Sequence, residues 1–176
     1  MQTVTELRRR LSAAADAQGA RYARGEERPL RGYAVTMSVY LGTVALLGAA
    51  IRISGTPLPD GLPGRDLALC AVATHKLSRL IAKDPVTSPL RAPFTTYEGT
   101  QGPSELAEQV RGDGARKSIG ELLTCPFCTG MWVVTGFTAG LVLAPRPTRI
   151  AMGALSALAG ADLLQFARTW VTRTAE

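Results

Sequence analysis

Two cysteines three residues apart, Cys125 and Cys128 in TCPFCTG, are the side chains of this sequence best suited to chemistry. Pro126 between them disfavours helical geometry at Cys125 and suits the first position of a new helix, so Cys125 is expected at an N-cap with Cys128 one turn in. Helix N–H groups favour anions, so either thiol there is open to a lowered pKa, the condition for ligating a metal or exchanging with a disulfide. A CPFC sequence also occurs at glutaredoxin active sites. Here no strand precedes it and the helix that follows is apolar all round, which is the wrong setting for that fold. The plainer role, two small thiols lining a helix junction, stands beside the chemical ones.

A zinc-like metal is the cofactor this pair would take. Structural zinc usually has four Cys or His ligands, and the chain adds only Cys70 and His75 to the pair. Those two lie five residues apart, about 140° around a helix, and are expected to be ordinary residues of a packed helix. A metal would then need a second protomer, or Asp84 or Glu121, to complete its shell. The other charged candidates are Asp162, Lys76 and Arg79 within apolar helices, and Asp84 and Arg91 in DPVTSPLRAPF. No Ser-His-Asp set, phosphate loop or carboxylate pair is present, so a non-enzyme is the preferred reading and a dithiol redox protein, with Cys125 attacking and Cys128 resolving, the alternative.

The elements that must position these groups are membrane helices, and the expected fold is all-α: a small bundle of about four helices. Gly32 to Ile51 is 20 residues without a charge, the length that crosses about 30 Å of hydrocarbon. Helix three is expected from Pro126 to about Ala144 and helix four from about Thr148 to Val171, joined by APRPT. Helix two, Arg65 to Lys83, is less certain as a span, because only Leu67 to His75 is free of charge. It either lies on the surface or crosses inside the bundle with its cations paired. Depth counting from the outer ends of helices two and four brings Lys76 level with Asp162, so those two are expected to form a buried ion pair, with Arg79 as the other possible partner.

Between the helices, DPVTSPLRAPF reads as an extended, stiff hook in which Asp84 and Arg91 could pair. A short helix is expected from Glu105 to Arg111 behind Ser104, and another from Ile119 to Thr124 with Ser118 and Glu121 as a capping box. Residues 1–31 form a polar tail, with a short amphipathic helix in TELRRRLSAAADAQ, whose arginines hold the first membrane helix in place rather than select a lipid. The bundle domain covers 32–171, including loop 84–121, and 172–176 is a short carboxyl tail.

Charge sets orientation and partners. The chain carries a net +6, yet no basic run is interleaved with aromatics, so nucleic acid is not an expected partner. Fourteen Lys and Arg fall on one side of a four-helix topology and four on the other, which places both termini and loop 84–121 in the cytoplasm, the protein being a multi-pass resident of a bacterial inner membrane. Tyr33, Trp132 and Trp170 then sit near the cytoplasmic interface. Beyond the lipid bilayer, a protein partner or a second copy is the expected contact. Gly153, Ala157 and Ala161 repeat at four-residue spacing on helix four, a face suited to close packing within the bundle and, less so, to homo-oligomers.

The run HKLSRLIAKDPVTSPLRAPF, followed after a Gly-rich acidic linker by GELLTCPFCTGMWV, resembles a family of small bacterial membrane proteins known as domain of unknown function 1360. The likeness covers roughly residues 67–143 and rests on R-L-x-x-x-D from Arg79 to Asp84, L-R-A-P-F from Leu90 to Phe94, and G-E-L-x-x-C-P-x-C from Gly120 to Cys128. It implies a membrane location and no particular reaction. It also points to Asp84, Arg91, Glu121, Cys125 and Cys128 as a set.

Overall fold

The computed structural model describes residues 2–26 and 28–174; Met1, Glu27, Ala175 and Glu176 lie outside them. The element order is α1 (Gln2–Ala23), α2 (Leu30–Ser54), α3 (Gly64–Lys83), a 3-10 turn (Pro85–Thr87), α4 (Ser88–Arg91), β1 (Thr95–Gly102), β2 (Glu105–Val110), α5 (Gly114–Thr124), α6 (Pro126–Leu143) and α7 (Pro145–Thr174). Among the described residues three helices, α2, α6 and α7, are long and apolar enough to cross a membrane. The protein is therefore mostly helical, but all-α is too simple, because a two-stranded antiparallel sheet interrupts the helices.

Helix α3 is less apolar than the three candidate spans and is the most enclosed of the long helices. It packs against both α6 and α7 and buries Asp66, Cys70, Ala73, Ser78 and Ala82. The bundle's small core is Cys70, Ala73, Leu141 and Met152, with Leu69, Phe137 and Leu155 packed around it. This is how a helix whose longest uncharged run is only Leu67 to His75 is accommodated. Its neighbours supply the apolar surface, and its charged side chains meet partners inside the protein.

Several boundaries follow from local chemistry. Gly55 ends α2 in the left-handed conformation, φ 66°, where a residue with a Cβ is strained. Pro85 forces Asp84 out of the helix, φ −70° and ψ 139°, and so ends α3. The expected stiff hook after it is instead helical in two pieces, the 3-10 turn and the single turn α4. Asp84 and the prolines start these pieces: the Asp84 carboxylate accepts a bond from the Val86 N–H (2.8 Å), and proline is well suited to a first helical position. The connection from α6 to α7 is a single residue, Ala144, because α7 begins at Pro145 rather than near Thr148.

The helix expected from Glu105 to Arg111 is strand β2. Ser104 is not an N-cap: at φ 57° it occupies the left-handed region, whereas an N-cap is normally extended. Pro103 and Ser104 are instead the two central residues of the hairpin turn that brings Gly102 opposite Glu105, and proline followed by a residue with positive φ is a type II pattern. The pairing runs from Thr95 opposite Val110 to that turn, with irregularities after Tyr97 and Thr100. Similarly, Ser118 does not cap a helix. Helix α5 starts earlier, at Gly114, and the Ser118 Oγ donates back to the Gly114 carbonyl (3.0 Å).

Two glycines mark where elements touch. A Cβ at Gly32, in the first turns of α2, would fall 1.9 Å from Ser118 Oγ and 2.9 Å from the Gly114 carbonyl of α5. One at Gly120 would fall 2.6 Å from a Val110 methyl and 3.1 Å from the Phe94 carbonyl, so α5 is pressed against the hairpin as closely as backbone allows. Gly32→Ala should therefore destabilise the detergent-solubilised protein, on the order of 1–3 kcal/mol, as overpacking does. Adding Ser118→Ala should recover part of the loss. Unfolding of Gly32→Ala at the wild-type temperature would show that α2 and α5 do not approach this closely.

The stripe of Gly153, Ala157 and Ala161 is not the packed face of α7. That face carries Met152, fully buried, and Ser156, whose Oγ donates to the Leu69 carbonyl of α3 (3.3 Å). Ala157 and Ala161 are exposed, and nothing lies within 4 Å of a Cβ built at Gly153 or Gly160. The four-residue pattern of small residues is offset from the contact with α3 by about one residue, roughly 100°.

Candidate functional site

The polar groups at the carboxyl-terminal end of α3 form the most heavily bonded cluster. Arg91, completely buried, extends from α4 beneath the end of α3. Its Nε donates to Glu108 Oε2 (2.5 Å), Nη1 to the Ile81 carbonyl (2.7 Å) and to Thr87 Oγ1 (2.7 Å), and Nη2 to the Asp84 carbonyl (3.0 Å). The guanidinium thus satisfies carbonyls at the end of α3, where the helix dipole favours a cation, while neutralising the nearly buried Glu108 of β2. Asp84 and Arg91 do meet, but through the Asp84 backbone oxygen. The carboxylate partner is Glu108, since the Asp84 side chain is turned to the Val86 N–H.

Two further links hold the hairpin to the same helix. Arg79 pairs with Glu105, and Lys83 Nζ donates to Gln101 Oε1 (3.2 Å). Within the bundle, Lys76 Nζ lies 2.5 Å from Asp162 Oδ2 on α7, with the lysine mostly covered and the aspartate about one-third exposed. At the amino-terminal ends of the two helices, Arg149 of α7 holds the buried Asp66 of α3 by two nitrogens, at 2.7 to 3.1 Å. Helices α3 and α7 are thus tied by ion pairs at two depths.

The thiol pair sits at the α5–α6 junction. Cys125 is extended, φ −100° and ψ 107°, and its Sγ accepts the Cys128 N–H (3.3 Å), so it is the N-cap of α6. Thr129 braces the junction from inside, donating to the Leu122 carbonyl (2.9 Å). Four residues before Cys125, Glu121 accepts a hydrogen bond from Tyr33 Oη on α2 (2.5 Å). All three cysteines are free thiols: Cys70 is buried, Cys125 half-buried and Cys128 exposed, with Phe127 between the pair 92% exposed. Trp132, one turn further in, turns edge-on to Tyr40 with ring centres 5.2 Å apart and buries its Nε1 without a partner, rather than offering it to an interface.

The candidate residues therefore separate into two groups. Asp84 and Arg91 share a cluster with Glu108 at the end of α3, whereas Glu121, Cys125 and Cys128 share the α5–α6 junction with Tyr33. Cys70 and His75 belong to neither: Cys70 is buried and His75 is exposed on another face of α3. Among the described residues no three His, Cys, Asp or Glu side chains are grouped so as to hold a metal ion. The donors available to Cys125 and Cys128 within one chain do not fit a structural metal site. Glu108, the bond from Tyr33 to Glu121 and the Asp66–Arg149 pair escaped the sequence reading. Depth counting could have found the last, since Asp66 and Arg149 lie at corresponding positions near the amino-terminal ends of their helices.

Comparison with known proteins agrees with the extent of this module. Over 72 residues the chain is 36% identical to the sporulation protein YjcA of Bacillus subtilis, a match that covers 39% of this chain and 61% of that protein. The chain thus matches less than two thirds of the relative's length. No solved structure matches. The family model described as protein of unknown function, DUF1360, matches residues 69–168, which include α3 from Leu69, the Arg91 cluster, the hairpin, the CPFC junction and most of α7. The chain belongs to that family.

Proposed function

We propose that this protein is a non-catalytic membrane scaffold that presents its hairpin face, on the cytoplasmic side, to a protein partner. The observation that carries this reading is the use made of the charged groups around α3. Arg91 and Arg79 are engaged by Glu108 and Glu105 of the hairpin and Tyr33 of α2 by Glu121 of α5, so they fasten a small soluble-like module to a membrane bundle that the Lys76–Asp162 pair ties within itself. What the module leaves open is strand β1, with Tyr97 63% exposed, and Phe127 at the foot of α6. Orientation rests on the excess of Lys and Arg on this side, which favours the cytoplasm. The sporulation role named for the Bacillus relative stays with that protein; the shared part supports a common scaffold and no reaction.

The second reading, a dithiol redox protein, is favoured by one observation: Cys125 at a helix N-terminus with Cys128 exposed beside it. A photo-crosslinking residue at Tyr97, in the full chain in its native membrane, separates the two. The scaffold reading expects a discrete protein adduct at Tyr97, none at Leu58 in the outer loop, and the same adduct when Cys125 and Cys128 are both serine. Loss of the adduct in the double-serine variant, with a Cys125–Cys128 disulfide that cycles in cells, would establish the redox reading. No adduct at Tyr97 in any background would remove the scaffold.

A further inference from the structure

Helix α1 is the one long helix that the bundle does not use, and its surface has a definite polarity. It is tied to the rest at the start of α2, where Arg31 donates to the Ser12 carbonyl (2.6 Å) and pairs with Asp16 (2.9 Å). The side facing α2 there is made of Gly19, Ala20 and Ala23, against Pro29 and Leu30. A different side carries the larger apolar groups. At about 100° per residue, Val4, Leu7, Leu11, Ala14, Gln18 and Tyr22 fall within a strip about 80° wide. Val4, Leu7, Leu11 and Tyr22 are each about 60% exposed, and among the described residues no other element covers them.

The charges are arranged around that strip. Arg8 flanks it on one side and Arg10 and Arg21 on the other, about 60 to 80° from its centre, while the acidic Glu6 and Asp16 lie about 120 and 160° away, with Arg9 about 180° away among them. Glu6 is engaged there by Arg9 and Arg10. An apolar strip with arginines at both margins and acids behind is the layout of a helix lying in a membrane interface, with the apolar residues among the upper acyl carbons and the guanidiniums reaching phosphates. The chain also brings the strip to such a surface, because six residues separate α1 from α2, an apolar helix long enough to cross a bilayer.

The geometry points to α1 as an interfacial arm that lies on an anionic leaflet beside the entry point of α2. Phosphate-bearing lipid headgroups are its ligand, and the bilayer around the protein's own bundle is its occupant. The arm goes beyond the scaffold reading and rests only on α2 being membrane-inserted. Bound, it would cover the apolar strip, leave the Glu6 side facing water and keep Asp16 paired with Arg31 of α2. It would also fix the rotation of the first turns of α2, through Arg31, relative to the membrane plane.

Limited trypsin digestion of the full chain in nanodiscs tests this. In phosphatidylcholine discs containing a minority of phosphatidylglycerol, cleavage after Arg8, Arg9, Arg10 and Arg21 should be about tenfold slower than in pure phosphatidylcholine discs, the size expected from a few interfacial arginines, and high salt should restore the faster rate. Cleavage after Arg111 and Arg116, outside α1, serves as the internal control and should not change between lipids. Leu7→Asp with Leu11→Asp should abolish the protection, whereas Ala13→Asp, the same charge on the opposite face, should leave it. Equal cleavage of α1 in both lipids overturns the proposal, as does equal sensitivity to Ala13→Asp. Protection in both lipids that rises with the number of copies per disc would identify a second α1 as the occupant instead. A chain that failed to insert through α2 would not co-purify with the discs, so that failure is distinct from failure of the arm.

Discussion

Arg91→Ala should cost the detergent-solubilised protein about 3–5 kcal/mol of stability, the loss that follows when one member of a buried ion pair is removed and the other remains. The magnitude follows from what is left behind. Glu108 keeps its carboxylate in a site where its side chain is only 6% exposed, and the Ile81 and Asp84 carbonyls at the end of α3 each lose one donor, keeping only those from Thr87. Arg91→Lys should recover little, because a single ammonium cannot reach the four acceptors that the planar guanidinium fork engages at once. Glu108→Gln should cost less than Arg91→Ala, since an amide still accepts from Nε and the guanidinium keeps its other three bonds. Unfolding by denaturant, followed by helical signal, checks the order. A loss below about 1 kcal/mol for Arg91→Ala would mean that the hairpin is held by packing and that the arginine is incidental.

That cluster marks where the sequence stopped being legible. The apolar helices could be read within a few residues because length and charge exclusion are one-dimensional properties: Gly32 to Ile51 contains no charge, and Pro126 follows directly on the N-cap Cys125. The hairpin could not be read that way. Glu105 to Val110 has only modest strand character, and its partner TTYEGTQG is polar and holds a glycine at φ 134°. What makes it a sheet is tertiary: Pro103 and Ser104 form the turn, and Val110 packs on the bare backbone at Gly120, so the contacts outweigh local propensity. Ser104 and Ser118 misled for the same reason. Each has the residue type of a cap, but one is a turn residue and the other a contact with α2. Likewise, the four-residue repeat from Gly153 to Ala161 has the form of a packing face, yet the face that meets α3 is set by the side chain of Met152 and by the ion pairs. A sequence shows which residues could sit together, and the partner element decides which do.

In a double-variant cycle on Lys76 and Asp162, each single change should destabilise and the pair together should lose less than the sum, with a coupling of about 1–3 kcal/mol. The geometry behind this is a ruler with two marks. The Asp66–Arg149 bridge levels α3 and α7 at their amino-terminal ends. From there Lys76 is 10 residues along α3 and Asp162 is 13 along α7, rises of about 15 and 20 Å. The difference of about 5 Å is within the reach of the two long side chains, Arg149 and Lys76, and the Lys76 ammonium lies 2.5 Å from the carboxylate. Removing either group leaves the other as an unpaired charge in a setting with little water, which is why Lys76→Gln and Asp162→Asn should each be costly alone. Arg79 supplies the control. It lies one turn beyond Lys76 but is engaged by Glu105 of the hairpin, so Arg79→Gln and Asp162→Asn should be additive. Coupling between Asp162 and Arg79 as large as that with Lys76 would show that the acid moves between the two cations. Strict additivity of the Lys76 and Asp162 changes would instead mean that each charge is neutralised separately.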